Sequence, residues 1–267
     1  MIATSLFTLP RDKLSFSSAR NFSQCRECWY RDRIEHERGK RVSIARPIGG
    51  AVHAAMQLAR LRLQSGEKVT VADAIEAAHD SFTLTLKDIG DFDNRLNYGA
   101  TKYADTDAAF EDVKWWSERA VTVLLPQEAE LGIVEVECRP DFGDALGFTF
   151  DGYVDVILNS PNGGLLLKDL KTSKDGRAID VWAKMQLRLY AFCWLFKGQD
   201  IDLQVDKLIK NKIADIQYEA VECDREKVAD AVRWFRTVAR EISDVVVRGE
   251  RPAANPGYWC DYPHGQD

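Results

Sequence analysis

Two apolar runs, split by a cluster of turn formers and followed by a helical repeat, constrain this chain more than any other feature. Residues 147–158 read GFTFDGYVDVIL, then come Asn159-Ser-Pro-Asn-Gly-Gly164, and Leu165-Leu166-Leu167 opens the next run. The runs have the length and boundaries of strands, and the residues between them are those that turns select. So short a connection predicts an antiparallel hairpin. Three leucines in succession predict a strand covered on both faces, so helices flank the sheet. Residues 178–196 then carry Trp182, Met185, Leu189 and Phe192 at intervals of three and four, which predicts a helix.

Inside this frame lie groups with one kind of chemistry. Asp155 falls on the first strand, in Gly152-x-x-Asp155, and Asp169 and Lys171 fall on the second as Asp-x-Lys. Residues two apart in a strand share a face, so Asp169 and Lys171 point together, and the hairpin brings Asp155 close to them. Two adjacent carboxylates repel unless a cation lies between them. Hard oxygen donors suit Mg2+ or Mn2+. A lysine beside such an ion orients or deprotonates water and offsets charge growing on a phosphate. Asp-x-Lys alone is a weak signal, since a plain ion pair on a sheet edge reads the same way.

The rest of the chain surrounds that hairpin. Residues 1–14 read as a tail or short edge segment. Ser17 or Ser18 caps a helix running through Phe22 toward Cys25-Arg-Glu-Cys28. The plainer reading of this C-x-x-C is a helix end with one cysteine buried beside Trp29 and Tyr30. Residues 36–47 are basic and loop-like, and Arg38, Lys40, Arg41 and Arg46 suit either phosphates or a solvated surface. Gly49-Gly50 opens a helix to Gln64, with His53 in its first turn and Gly66 as its stop. A helix from Val69 to Leu86 and another from Ala108 to Leu125, capped by Thr106 or Asp107, form a helical insertion over about residues 65–128. Trp115 and Trp116 suit base stacking, although core packing claims at least one of them. Ile133 to Glu137 alternates, putting Glu135 and Glu137 on one face. Leu203 to Ile209 and Ile216 to Val221 read as strands, Asp224 caps a helix from Arg225 to Val247, and 249–267 is a loop-like tail.

Charge narrows the function classes. The 267 residues carry 36 Lys and Arg against 42 Asp and Glu, a formal net charge of −6. A protein that holds duplex DNA chiefly by neutralising phosphates is usually basic, which disfavours a passive DNA coat. A metal-dependent enzyme tolerates an acidic site because its cation neutralises it. No run approaches the ~18 apolar residues of a membrane span. The N-terminus lacks the basic start and apolar core of a secretory signal. The expectation is a cytoplasmic protein without a membrane partner, whose six cysteines are free thiols or metal ligands rather than disulfides. The length fits one large domain, 1–267.

Four motifs in order, Gly49-x-x-x-His53, Gly152-x-x-Asp155, Asp169-x-Lys171-Thr172 and Gln186-x-x-x-Tyr190, resemble the PD-(D/E)xK nuclease superfamily, in particular its RecB-like exonuclease branch. The resemblance covers roughly residues 15–197. It implies an α/β fold, a central mixed sheet flanked by helices with a restriction-endonuclease-like core. It implies that His53, Asp155, Asp169 and the backbone carbonyl of Leu170 hold the metal and that Lys171 is the catalytic lysine. Gln186 and Tyr190, one helical turn apart, line the substrate groove. A histidine donor is softer than oxygen, so Mn2+ serves as well as Mg2+. Glu135 or Glu137 is a weaker candidate for a supporting carboxylate, and Thr172 and Ser173 for phosphate contacts.

Some members of that branch carry a [4Fe-4S] cluster on four cysteines. Cys25, Cys28 and Cys260 match such positions, but the remaining C-terminal ones have no counterpart, so the sequence argues against a cluster. The implied activity is metal-dependent hydrolysis of DNA phosphodiester bonds, acting on single- or double-stranded ends in recombination, repair, or phage- or CRISPR-related processing. A protein partner or a homo-oligomer is left open. The rivals are an inactive DNA-end-binding or scaffold module of the same fold and a nuclease controlled by an iron–sulfur centre.

Overall fold

A five-stranded mixed sheet holds the centre of the molecule: β1 (Ile133–Cys138), β2 (Val154–Asn159), β3 (Leu165–Ser173), β4 (Ile201–Ile209) and β5 (Ile216–Val221), neighbours in that order. The computed structural model describes residues 6–37, 42–90, 96–97, 103–173, 179–210 and 216–253. β3 and β4 run parallel, and the other neighbours are antiparallel. The helices are α1 (Phe16–Gln24), α2 (Arg26–Arg33), α3 (Ala45–Gln64), α4 (Val71–Ile89), α5 (Thr106–Arg119), α6 (Leu125–Leu131), α7 (Val181–Leu195) and α8 (Arg225–Arg248). Helix α7 is the crossover that a parallel pair requires. The expected α/β architecture is what the chain forms.

The hairpin is where the turn residues put it. Asn159 pairs with Leu165, and the Ser160 N–H donates to the Gly164 carbonyl at 3.1 Å. Gly164 has φ +77°, and a Cβ there would lie 2.3 Å from the Asp200 carbonyl, so only glycine fits. The leucine run is covered on both sides, as read. Leu167, Leu203 and Val205 pack with α1, α7 and α8 in one core, while Leu170 and Leu208 pack with α3, α4 and α5 in another. Each fully buried leucine contributes about 1.5–3 kcal/mol.

Several boundaries differ from the sequence reading. Ser15, not Ser17 or Ser18, caps α1, accepting the Ser18 N–H at 3.2 Å. Helix α3 begins at Ala45 rather than Gly49, because Pro47 in its first turn needs no N–H partner. Thr70 and Asp73 form a capping box that starts α4 at Val71. Asp105 caps α5, which passes through a π-helical segment, Ala120–Leu124, into α6. That wider turn stands just before Pro126, which cannot donate to the helical ladder. Asp180 caps α7 at Val181, and residue 178 lies outside the described residues. Of the two readings for residues 1–14, the described part, 6–14, fits the short edge segment: Leu9 and Leu14 are buried, and Lys13–Leu14 pairs with Thr149–Phe150.

Trp116 is a core residue of the helical layer, and Trp115 sits under the Lys210 ammonium, 5.7 Å from its ring centre. Cys25 is buried and its Sγ accepts the Cys28 N–H at 3.3 Å, so the C-x-x-C closes one helix and caps the next. Arg38, Lys40, Arg41 and Cys260 lie outside the described residues. Among the described residues no helix is long and apolar enough to cross a membrane.

Candidate active site

The β2–β3 register pairs Val156 with Lys168 and Ile157 with Leu167. Continued by one step, it sets Asp155 beside Asp169. Asp155 Oδ2 accepts the backbone N–H of Leu170 at 2.7 Å. Its other oxygen, Oδ1, lies 3.4 Å from Nδ1 of His53, which α3 delivers from the neighbouring layer. Lys171 Nζ lies 3.1 Å from Asp169 Oδ1 and 2.9 Å from Oδ2. The fold thus brings together His53, Asp155, Asp169 and Lys171, four groups spread over more than a hundred positions. The Leu170 side chain is buried in the core, so only its backbone is available to the site.

Burial and charge oppose each other at each group. Burial would raise the Asp155 pKa, but His53, Lys171 and the Leu170 N–H outweigh it and hold the carboxyl below its ordinary range. Asp169 goes the other way: burial, with Asp155 alongside, raises its pKa despite Lys171. The Asp155 charge raises His53 above an ordinary imidazole. Burial would lower the Lys171 pKa, yet Asp169 and Asp155 lift it, leaving an ammonium. Carboxyls whose pKa values separate in this way mark a site built to handle charge.

Gln186 and Tyr190 face the same region from α7, with Gln186 Nε2 donating to Tyr190 Oη at 2.7 Å. Burial first, and then the charges of Asp169, Asp155 and Glu137, raise the Tyr190 pKa. The glycine of Gly152-x-x-Asp155 has a packing reason. A Cβ there would stand 2.7 Å from the Phe150 ring and 3.3 Å from Tyr190 Oη.

Of the two candidate glutamates, Glu137 stands nearer the site. Burial and the Asp155 charge raise its pKa, whereas Glu135 lies against the Cys138 thiol, which burial and that carboxylate push up to about 12. β1 carries a register shift between Ile133 and Glu135, and Glu137 has φ +52°. A non-glycine residue held there costs about 1–3 kcal/mol, and alternation alone does not reveal it.

Sequence reasoning also missed the buried charges behind β3. Arg60 makes a double hydrogen bond to Glu128 at 2.8 Å, Lys168 reaches Glu128 at 3.4 Å, and Lys168 pairs with Asp206. All four residues are at most 3% exposed. They tie α3, α6, β3 and β4 together and flank the strand that carries Asp169 and Lys171. Their one sequence signal is a charged residue where the neighbours predict burial, as at Lys168 after three leucines.

The donors fit a hard divalent cation. Asp155 and Asp169 offer two buried carboxylates, with the Lys171 ammonium against Asp169 Oδ2, and His53 offers a nitrogen. Among the described residues no three His, Cys, Asp or Glu side chains form a ready-made cage. The Lys171 ammonium shares the space between the acids, so an ion here relies on small rotations and on the Leu170 carbonyl.

The PD-(D/E)XK nuclease superfamily model matches residues 13–264. A solved candidate exonuclease from Eubacterium rectale is 14% identical, with a TM-score of 0.51 over 94% of this chain and 86% of that one. The crystal structure of SSO0001 aligns over 76% of this chain and 79% of its own at 12% identity, and its TM-score of 0.31 carries no argument. No curated protein matches.

Proposed function

This chain belongs to the PD-(D/E)XK nuclease superfamily, and from that premise we propose that it is a Mg2+- or Mn2+-dependent deoxyribonuclease that hydrolyses phosphodiester bonds from DNA ends. The observation that carries the reading is the convergence of His53, Asp155, Asp169 and Lys171 on one hairpin. His53, Asp155, Asp169 and the Leu170 carbonyl would hold the ion. Held there, a divalent cation would lower the pKa of water and polarise the phosphoryl oxygen. Asp155 is locked by the Leu170 N–H, so its outward oxygen keeps a fixed direction. Lys171, an ammonium in this geometry, steadies the attacking water and offsets negative charge as it grows on the phosphate. Gln186 lines the groove, and Tyr190, buried behind it, fixes the Gln186 amide through its hydroxyl. One nuclease domain carries all of this, with the helices of α4–α6 beside the groove.

Action on ends, rather than at internal sequences, is supported by the branch that the motifs resemble and by the Eubacterium rectale neighbour. The experiment is digestion of end-labelled linear DNA, single- and double-stranded, with Mg2+, Mn2+ or EDTA. Metal-dependent release of label in a ladder from one end is expected. DNA binding without cleavage in either metal would leave the inactive end-binding module as the better account.

A further inference from the structure

Beside Lys171 lies a cleft of about 660 Å³ that two of the motifs reach, through Lys171, Thr172 and Gln186, and whose other walls they leave unexplained. Its floor is Lys171, Thr172 and Ser173 of β3 with Lys207 of β4, and its walls come from the start of α1 and the first turns of α7. Lys207 pairs with Lys171 in the parallel register, so both point to the same face. Arg20 enters from α1. Its Nη2 lies 3.3 Å from Asp180 Oδ2, its guanidinium stands 5.8 Å from the Trp182 ring centre, and its Nε is buried without a hydrogen-bond partner.

Three cations therefore line one cleft against a single carboxylate, Asp180, among the described residues. That is a local reversal in a chain of net charge −6. The volume falls in the range that encloses a small organic ligand. One wall is aromatic, with Phe16 and Trp182 held edge to face at 6.4 Å, and the rim is polar through Ser17, Asn21 and Gln186. Cations facing an aromatic wall suit a nucleotide, whose phosphate takes the guanidinium fork and whose sugar and base take the apolar surface.

We infer that this cleft is a nucleotide subsite beside the scissile phosphate, in which Arg20 and Lys207 take the neighbouring phosphate and Phe16 and Trp182 flank its sugar and base. The inference rests on the nuclease reading above and extends it to how the strand is gripped. Asp180 and Trp182 hold the guanidinium at the wall of the cleft, where its exposed part can pair with a phosphate. The phosphate is either an internal diester or the terminal monoester of a strand, and the chemistry of recognition is shared.

The test compares wild type, Arg20→Gln and Arg20→Lys. Binding of a fluorescent single-stranded oligonucleotide is measured in EDTA across a salt series, and cleavage is measured in Mn2+. Arg20→Gln is expected to weaken binding about tenfold and to lower the log–log salt slope by about 0.7–1, the share of one phosphate contact. It should raise KM far more than it lowers kcat, and Arg20→Lys should recover part of the loss. Oligonucleotides ending in a 5′-phosphate, a 3′-phosphate or two hydroxyls, and a closed circle for binding, separate the sources. A loss confined to one phosphorylated end assigns the terminal monoester, and an equal loss on all assigns the internal diester. Wild-type cleavage with Arg20→Gln unchanged in KM and salt slope overturns the subsite alone. Absence of metal-dependent cleavage in wild type overturns the nuclease reading and the subsite with it.

Discussion

The carboxylate of Asp155 accepts the backbone N–H of Leu170 at 2.7 Å, across the β2–β3 hairpin. One strand thereby aims the acid carried by the other, and a single residue sets both the hairpin geometry and the charge of the site. Asp155→Asn keeps the volume and an acceptor oxygen while removing the charge. Hydrolysis should fall at least about a thousandfold. The melting temperature should fall, because His53, Lys171 and the Leu170 N–H together outweigh the cost of burying this charge, while the variant stays folded at the assay temperature. Single-turnover cleavage and thermal unfolding of the same preparation check both. Parallel losses of fold and activity would contradict a role centred on charge.

His53 sits 3.4 Å from Asp155, whose charge raises the imidazole pKa. Nitrogen must be deprotonated to take a metal, so ion binding expels a proton whenever the pH lies below that raised pKa. Affinity for Mn2+ should therefore fall as pH falls through this range, by up to tenfold per unit. Calorimetry in buffers of different ionisation enthalpy should show about one proton released per ion at the acidic end. A pH-independent affinity would remove His53 from the ligand set.

The buried quartet predicts acid sensitivity. The Glu128 pKa is lowered from 4.5 because Arg60 and Lys168 outweigh its burial. A depressed folded pKa contributes stability that is present above the unfolded value and is lost as pH falls through the folded one. Asp206, whose pKa is raised by burial, contributes with the opposite sign. Glu128→Ala should destabilise by about 3–5 kcal/mol at neutral pH, since it strands the buried Arg60. The gap between wild type and variant should narrow below pH 4.5, which denaturant melts at several pH values measure. A gap that stays constant down to pH 3 would show that the loss is one of packing.

How much was legible followed the range of the interactions. The hairpin with Asp155, Asp169 and Lys171 could be read because turn formers and a leucine run are local signals, and so was the Gln186–Tyr190 spacing. The start of α3 was misplaced because Ile44 offers no capping side chain and Pro47 reads as a breaker, whereas Gly49 and Gly50 have open space around the position a Cβ would take. Glu137 was indistinguishable from Glu135 because a period of two does not record a backbone held at φ +52°. Arg20 and Lys207 were invisible as a pair, since the cleft joins them across more than two thirds of the chain.

Lys171 bears the central claim: the hairpin is a hydrolytic centre, and its lysine acts on the phosphate while the acids and His53 hold the ion. The direct measurement is Mn2+ affinity and end-labelled DNA hydrolysis, side by side, for wild type and Lys171→Met. The account predicts that the variant binds Mn2+ at least as well as wild type, an ammonium having left the neighbourhood of Asp169, while hydrolysis drops by about a thousandfold or more. Hydrolysis at the wild-type rate in Lys171→Met would contradict it.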